Sequence, residues 1–109
     1  MFDLISYYKY TIDDVRKIMK SILIGVKEAH NRKVIHRDLK PGNIIIDSTL
    51  RTARIIDWGL AEFCEPGKQY NVRVATMPFK PPELLLENQV YDESLDVWGA
   101  GCVFGCLVS

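Results

Sequence analysis

One hundred and nine residues make at most one domain, and 48% hydrophobic with 10% aromatic content excludes a disordered chain. Fourteen basic residues balance fourteen acidic ones, which argues against a nucleic-acid arm or an acidic tail and leaves a small molecule or a protein as the default partner. Three cysteines, an odd number without metal-ligand spacing, read as reduced thiols in a cytoplasmic or nuclear setting, and no basic-then-apolar leader opens the sequence.

Met1 to Tyr10 is aromatic, with Phe2, Tyr7, Tyr8 and Tyr10, and reads as a segment docked on neighbouring structure. Thr11 has the character of a helix N-cap, with Asp13 and Asp14 at the positive end of the helix dipole. Ile12, Val15, Ile18, Met19, Ile22, Leu23, Val26 and Ala29 recur at helical spacing, which predicts one amphipathic helix to about His30. Its other face carries Arg16, Lys17, Lys20 and Lys27, a pattern that usually marks a solvated face.

The densest chemistry follows in His36-Arg37-Asp38-Leu39-Lys40-Pro41-Gly42-Asn43. Pro41 fixes its own φ and disfavours a helical Lys40, so this segment is expected as an extended loop. Moving a phosphoryl group to a hydroxyl needs a carboxylate to accept the hydroxyl proton. It also needs cations and magnesium to meet the phosphate charge. Asp38 suits the base, Lys40 the cation, and Asn43 a magnesium ligand through its amide oxygen.

Asn43 to Asp47 and Ala53 to Ile56 are short β-branched runs around Ser48 to Thr52, which predicts a hairpin. The second run ends at Asp57-Trp58-Gly59, a carboxylate followed by a glycine that lets the chain turn away. The hairpin would set Asp57 near Asn43, so that one magnesium ion sees both.

These two motifs resemble those of eukaryotic protein kinases, and Lys40 is similar to the catalytic-loop lysine of the serine/threonine branch. Trp58, the run Leu60-Ala61-Glu62-Phe63, Pro66-Gly67 and Tyr70-Asn71-Val72-Arg73-Val74-Ala75 narrow the resemblance to the catalytic alpha subunit of casein kinase II. A cyclin-dependent or mitogen-activated relative is the runner-up within the kinase class, and Trp58 and the run from Asn71 to Ala75 argue against it. The resemblance implies an α+β, mainly α fold: the large lobe of a kinase domain over residues 1–109, with one short β-hairpin at the catalytic site and the small lobe absent. It implies ATP, or GTP, with magnesium, protein substrates carrying acidic residues near the target hydroxyl, a regulatory beta subunit in the full-length enzyme, and neither nucleic acid nor membrane as partner.

Residue by residue, the resemblance makes His36 structural and gives Thr76 a hydroxyl bond to Asp38 and Lys40. Ile45 and Ile56 become one floor of a nucleotide pocket. Arg73 and Lys80 contact substrate acids, although Met77, Pro78 and Pro81 stand where the family has arginine, tyrosine and glycine, which should weaken or displace an acidic preference. Gly42, where the family has histidine, is a further departure. Arg37 is expected to find Glu62 and Glu65 in place of an activation-loop phosphate, implying activity without phosphorylation of Thr76 or Tyr70. Glu83, in Pro81-Pro82-Glu83, would pair with an arginine beyond Ser109.

Leu84 to Glu87 is expected as a short helix. Ser94 caps the last segment, Leu95 to Ser109, whose apolar character all round predicts a buried helix. The resemblance makes it the central helix of the large lobe, with Asp96 bonding the catalytic-loop backbone. Gly101 and Gly105 have a membrane-helix spacing, but the run from Val97 to Val108 is too short to span a bilayer. Cys102 and Cys106 on one helix face, with no histidine beside them, read as packing rather than zinc ligation.

The seven glycines form no Gly-x-Gly-x-x-Gly, and no strand lysine for the α and β phosphates is present. The chain as given is therefore expected to lack measurable activity and to fold poorly alone. A non-catalytic docking or decoy fragment is the alternative to an incomplete serine/threonine kinase.

Overall fold

The structure is a computed structural model and describes residues 2–4, 10–47, 49 and 52–108. Tyr7, Tyr8 and most of the Ser48 to Thr52 loop lie outside the described residues.

Helix α1, Ile12–Asn31, starts where the sequence places its cap. Thr11 Oγ1 accepts the Asp14 N–H at 3.1 Å while the Asp14 carboxylate accepts the Thr11 N–H at 3.2 Å. This reciprocal box satisfies two donors that a helix start otherwise leaves open. The helix ends at Asn31, and Lys33 turns the chain with a φ of 61°.

Two short antiparallel sheets flank α1. Strands β3, Ile44–Asp47, and β4, Thr52–Ile55, form the expected hairpin with Ile44 opposite Ile55 and Asp47 opposite Thr52. Strand β1, Phe2–Leu4, adds to the other edge of β3, giving the order β1-β3-β4. Strand β2, Val34–Ile35, pairs with β5, Glu62–Phe63, at the entrance to the catalytic-type loop. One hairpin was expected and two sheets are present, because two- and three-residue strands carry too few residues for a period-2 pattern.

Helix α2, Pro82–Leu85, is one turn, and α3, Ser94–Val108, closes the chain. Val15, Ile18, Ile22 and Val26 of α1 meet Ile44 and Ile46 of β3, Leu39 of the loop, and Ala100, Val103 and Leu107 of α3 in the main core. Each fully buried isoleucine there contributes about 1.5–3 kcal/mol. A second cluster gathers Ile35, Tyr70, Val74, Leu84, Tyr91 and Leu95 around the segment after β5.

Three expectations need correction. Ile12 is 80% and Leu23 49% exposed, since the surface that β4 and α3 offer to α1 is narrower than its apolar stripe. Helix α3 is buried on one face only: Val97, Trp98, Phe104 and Val108 are about half exposed, because nothing among the described residues packs on them. Its start is held by Asp92 rather than Ser94. The Asp92 carboxylate accepts the Ser94 N–H at 2.9 Å, and the Ser94 side chain first and this N–H next hold the Asp92 carboxyl below its ordinary pKa. No helix among the described residues is long and apolar enough to cross a membrane.

Candidate active site

The loop between β2 and β3 is fixed by backbone bonds to buried side chains. Asp96, on the first turn of α3, is 2% exposed. Its Oδ2 accepts the His36 N–H at 2.8 Å and its Oδ1 accepts the Arg37 N–H at 3.0 Å. His30 Nε2 lies 2.9 Å from the same Oδ2. A carboxylate withdrawn from water is tolerated only when its oxygens are met in this way.

His36 works through both ring nitrogens. Nδ1 accepts the Asp38 N–H at 3.1 Å, so Nε2 carries the proton and donates to the Ile56 carbonyl at 2.9 Å. Trp58 packs edge-on against the ring at 4.6 Å. With both nitrogens bound to backbone, His36 has no lone pair left for a substrate proton.

Around Asp38 three side chains converge. Thr76 Oγ1 donates to Asp38 Oδ1 at 3.1 Å, and Lys40 Nζ donates to Thr76 Oγ1 at 2.6 Å. Lys40 Nζ stands 4.0 Å from Asp38 Oδ2. Asn43 Nδ2 donates to the Asp38 carbonyl at 2.8 Å and to Oδ2 at 3.3 Å. Thr76 is thirty-eight residues from Asp38 in sequence, and the fold brings it into contact.

The 3₁₀ turn Pro41–Asn43 feeds β3, and the ladder extends one step past the hairpin: Ile56 N–H donates to the Asn43 carbonyl at 2.9 Å. Asp57 follows at once, exposed, with φ 60° and its Oδ1 accepting the Gly59 N–H at 3.4 Å. Ile44 and Ile46 point into the core, which turns Ile45 to the opposite face of β3, half-buried, as Ile56 is. Arg37, Asp57 and Ala75 all take the left-handed region, with φ of 73°, 60° and 66°. Such conformations cost on the order of 1–3 kcal/mol each and gather at functional sites.

Arg37 departs from expectation. Its guanidinium donates to the Leu60 carbonyl at 2.6 Å and to Tyr91 Oη at 3.1 Å, and Tyr91 in turn donates to the Asn71 carbonyl. Glu62 instead pairs with Lys68 at 3.2 Å. Its carboxyl is held below the ordinary range by the Phe63 N–H first and by Lys68 next. The two-residue pairing of β5 with β2 fixes Glu62 where Lys68 can reach it. Tyr70, the other phosphorylation candidate, is buried, with its hydroxyl donating to the Phe63 carbonyl and accepting the Glu65 N–H.

Arg73 is exposed and Lys80 half-buried, and neither has a carboxylate partner among the described residues. The carboxylate of Glu83, half-buried beside Pro82 and Trp98, also has none there.

Three contributors were not singled out in the sequence. His30 reaches Asp96 sixty-six residues further along the chain, and Tyr91 reaches Arg37 of the loop from fifty-four residues away, relations with no local signature. Gly99 had one: a glycine inside an apolar helix needs a packing reason. A Cβ there would stand 2.6 Å from the Leu39 carbonyl oxygen and 2.9 Å from its Cβ.

A carboxylate bonded by a hydroxyl and an amide, with an ammonium 4.0 Å away and a second carboxylate at the end of the adjoining hairpin, is a donor set able to handle a phosphoryl group. The family model described as "Protein kinase domain" matches residues 1–109, and the chain belongs to that family.

Proposed function

We propose that this chain carries the phosphoryl-transfer residues of a serine/threonine protein kinase of the casein kinase II type, as part of its large lobe. The supporting observation is the cluster in which Thr76 bonds both Asp38 and Lys40 while Asn43 holds Asp38 from the other side. Asp38 orients the substrate hydroxyl and takes its proton, and Lys40 meets the charge on the transferred phosphoryl group.

Magnesium fits the donors present. Asn43 spends its amide nitrogen on Asp38 and leaves its amide oxygen without a partner among the described residues, and the Asp57 carboxylate is exposed with one backbone donor there. No group of three His, Cys, Asp or Glu gathers among the described residues. One carboxylate and one amide oxygen suit a hard cation that keeps phosphate and water as its other ligands. Magnesium bound there would neutralise phosphate oxygens. Ile45 and Ile56 supply an apolar floor for the base of ATP or GTP.

Arg73 and Lys80, free of internal carboxylates, are the groups we assign to acidic residues of the protein substrate. Met77 in place of a guanidinium makes that preference weaker than the family's. A beta-type regulatory subunit and a cytoplasmic and nuclear location complete the proposal. Because Arg37 is already satisfied by Leu60 and Tyr91, activity is expected without phosphorylation of the loop.

The test is transfer of labelled phosphate from ATP to an acidic serine peptide by the protein tagged and isolated from its own cells. Asp38→Asn should lower the rate about a hundredfold to ten-thousandfold. Full activity in that variant would refute the role of Asp38. No transfer by the unaltered protein would favour the second reading, a non-catalytic binding fragment, for which the half-exposed Val97, Trp98 and Phe104 offer a surface.

A further inference from the structure

Helix α1 carries another surface, on the side turned away from the core. Met19, Leu23 and Ile24 line a shallow groove there with Arg16, Lys20 and Lys27. Leu23 and Ile24 are about half exposed, and the three cations are exposed. At 3.6 residues per turn, Arg16, Lys20, Leu23 and Lys27 fall at i, i+4, i+7 and i+11, which is one stripe along the helix. Met19, half-buried and also packed against the main core, borders it on one flank and the exposed Ile24 on the other.

The charge of this stripe is uncompensated. The chain as a whole is neutral, yet no Asp or Glu occurs between Val15 and Lys27. Asp13 is paired with Lys17 at 3.2 Å, and Asp14 is engaged in the capping box. Glu28 lies about 100° round the helix from Lys27. Arg16, Lys20 and Lys27 have no carboxylate partner among the described residues.

We propose that this stripe docks an acidic amphipathic helix of a partner protein. Its carboxylates meet Arg16, Lys20 and Lys27, and an apolar side chain between them seats on Leu23 against Met19 and Ile24. Lys20 and Lys27 are two turns apart, about 10.5 Å along the axis. The matching partner helix therefore presents carboxylates seven residues apart with a leucine-like residue three or four positions into the interval. A lipid surface is the poorer occupant. The opposite face of α1 is locked in the core through Val15, Ile18, Ile22 and Val26, and a recessed strip divided by cations gives no broad apolar face to sink into a bilayer. A bare polyanion would use the cations and leave Leu23 without a counterpart.

The test is fluorescence anisotropy of the protein tagged and isolated from its own cells, with a labelled helical peptide carrying Glu at i and i+7 and Leu at i+3 and i+4. Controls are the same peptide with Lys for Glu, the same peptide with Ala for Leu, heparin, and phosphatidylcholine vesicles containing about one quarter phosphatidylserine. The Glu/Leu peptide should bind, and both control peptides should bind at least about tenfold more weakly, a difference of about 1.4 kcal/mol. Lys20→Glu with Lys27→Glu should abolish binding of the Glu peptide and restore binding of the Lys peptide. This charge swap reports on a folded protein, so loss through misfolding is distinguishable from loss of the site. Leu23→Ser should weaken binding with the charges intact. Equal binding of the two charge forms, insensitivity to the Lys20 and Lys27 changes, or binding to heparin or vesicles but not to the peptide would each overturn the proposal.

Discussion

Gly99 shows how much a single missing methyl group decides. Helix α3 touches the loop at this point, and Gly99→Ala would drive a Cβ to 2.6 Å from the Leu39 carbonyl oxygen, an atom of the backbone that cannot rotate aside. Two residues on, a Cβ at Gly101 meets nothing within 4 Å. Gly99→Ala should therefore destabilise the fold by about 1–3 kcal/mol through overpacking and displace Leu39, which lies between Asp38 and Lys40. By the same reasoning Gly101→Ala should be neutral or stabilising by up to about 1 kcal/mol, since alanine is the better helix former. Denaturant unfolding of the two variants side by side checks both. Equal effects would mean that α3 does not abut the loop as described.

At the scale of the element, α3 is the part that positions the site, and its own start hangs on Asp92. The Ser94 side chain and backbone N–H hold the Asp92 carboxyl below its ordinary pKa of 3.8. A carboxyl whose folded pKa is depressed contributes stability that is present above the unfolded value and is lost as pH falls through the folded value. Asp92→Asn keeps an acceptor for the Ser94 N–H and removes only the charge, so it should lower the melting temperature at neutral pH by the equivalent of about 0.3–1 kcal/mol. The gap between variant and wild type should close as pH falls from about 4 downward. Melting curves of the pair across that range decide it, and a gap that persists unchanged below the folded pKa would assign the loss to shape rather than charge. Helix α1 is different: its capping box is surface chemistry, and its place is set by the four aliphatic residues in the core.

For the whole molecule, the apolar surface that remains is the dominant fact. Leu86 is 81% exposed, and Val97 and Trp98 of α3 are 56% and 46% exposed beside Pro82, Gly101 and Cys102. Contiguous apolar exposure of this kind marks an interaction surface or an aggregation liability. The 109-residue chain in solution should bind a hydrophobic dye and self-associate with rising concentration. Trp98→Lys with Val97→Lys should raise the monomer fraction severalfold in sedimentation velocity. An unaltered chain that stays monomeric and dye-free would show that this face is covered.

The sequence by itself determined the local matters: the capped α1, the hairpin of β3 and β4, and the extended Lys40 before Pro41, although Pro41–Asn43 then closes into a 3₁₀ turn where an extended loop was expected. It also offered Asp38, Lys40, Asn43 and Asp57 as residues whose chemistry suits phosphate. Each depends on neighbours a few residues away, through helical period, β-branched runs, proline geometry or side-chain chemistry. The resemblance to kinases added Thr76 and Asp96, and the family match confirms the kinase class. Only the tertiary structure decided that Arg37 turns to Leu60 and Tyr91 rather than to Glu62, that His30 shares the Asp96 carboxylate, that Phe2–Leu4 joins the hairpin as a third strand, and that α3 buries one face and leaves the other open. These are contacts between residues tens of positions apart. Which partner a charged or apolar group finds among several of suitable chemistry is settled by the packing that brings one of them within reach, and no local pattern in the chain encodes that choice.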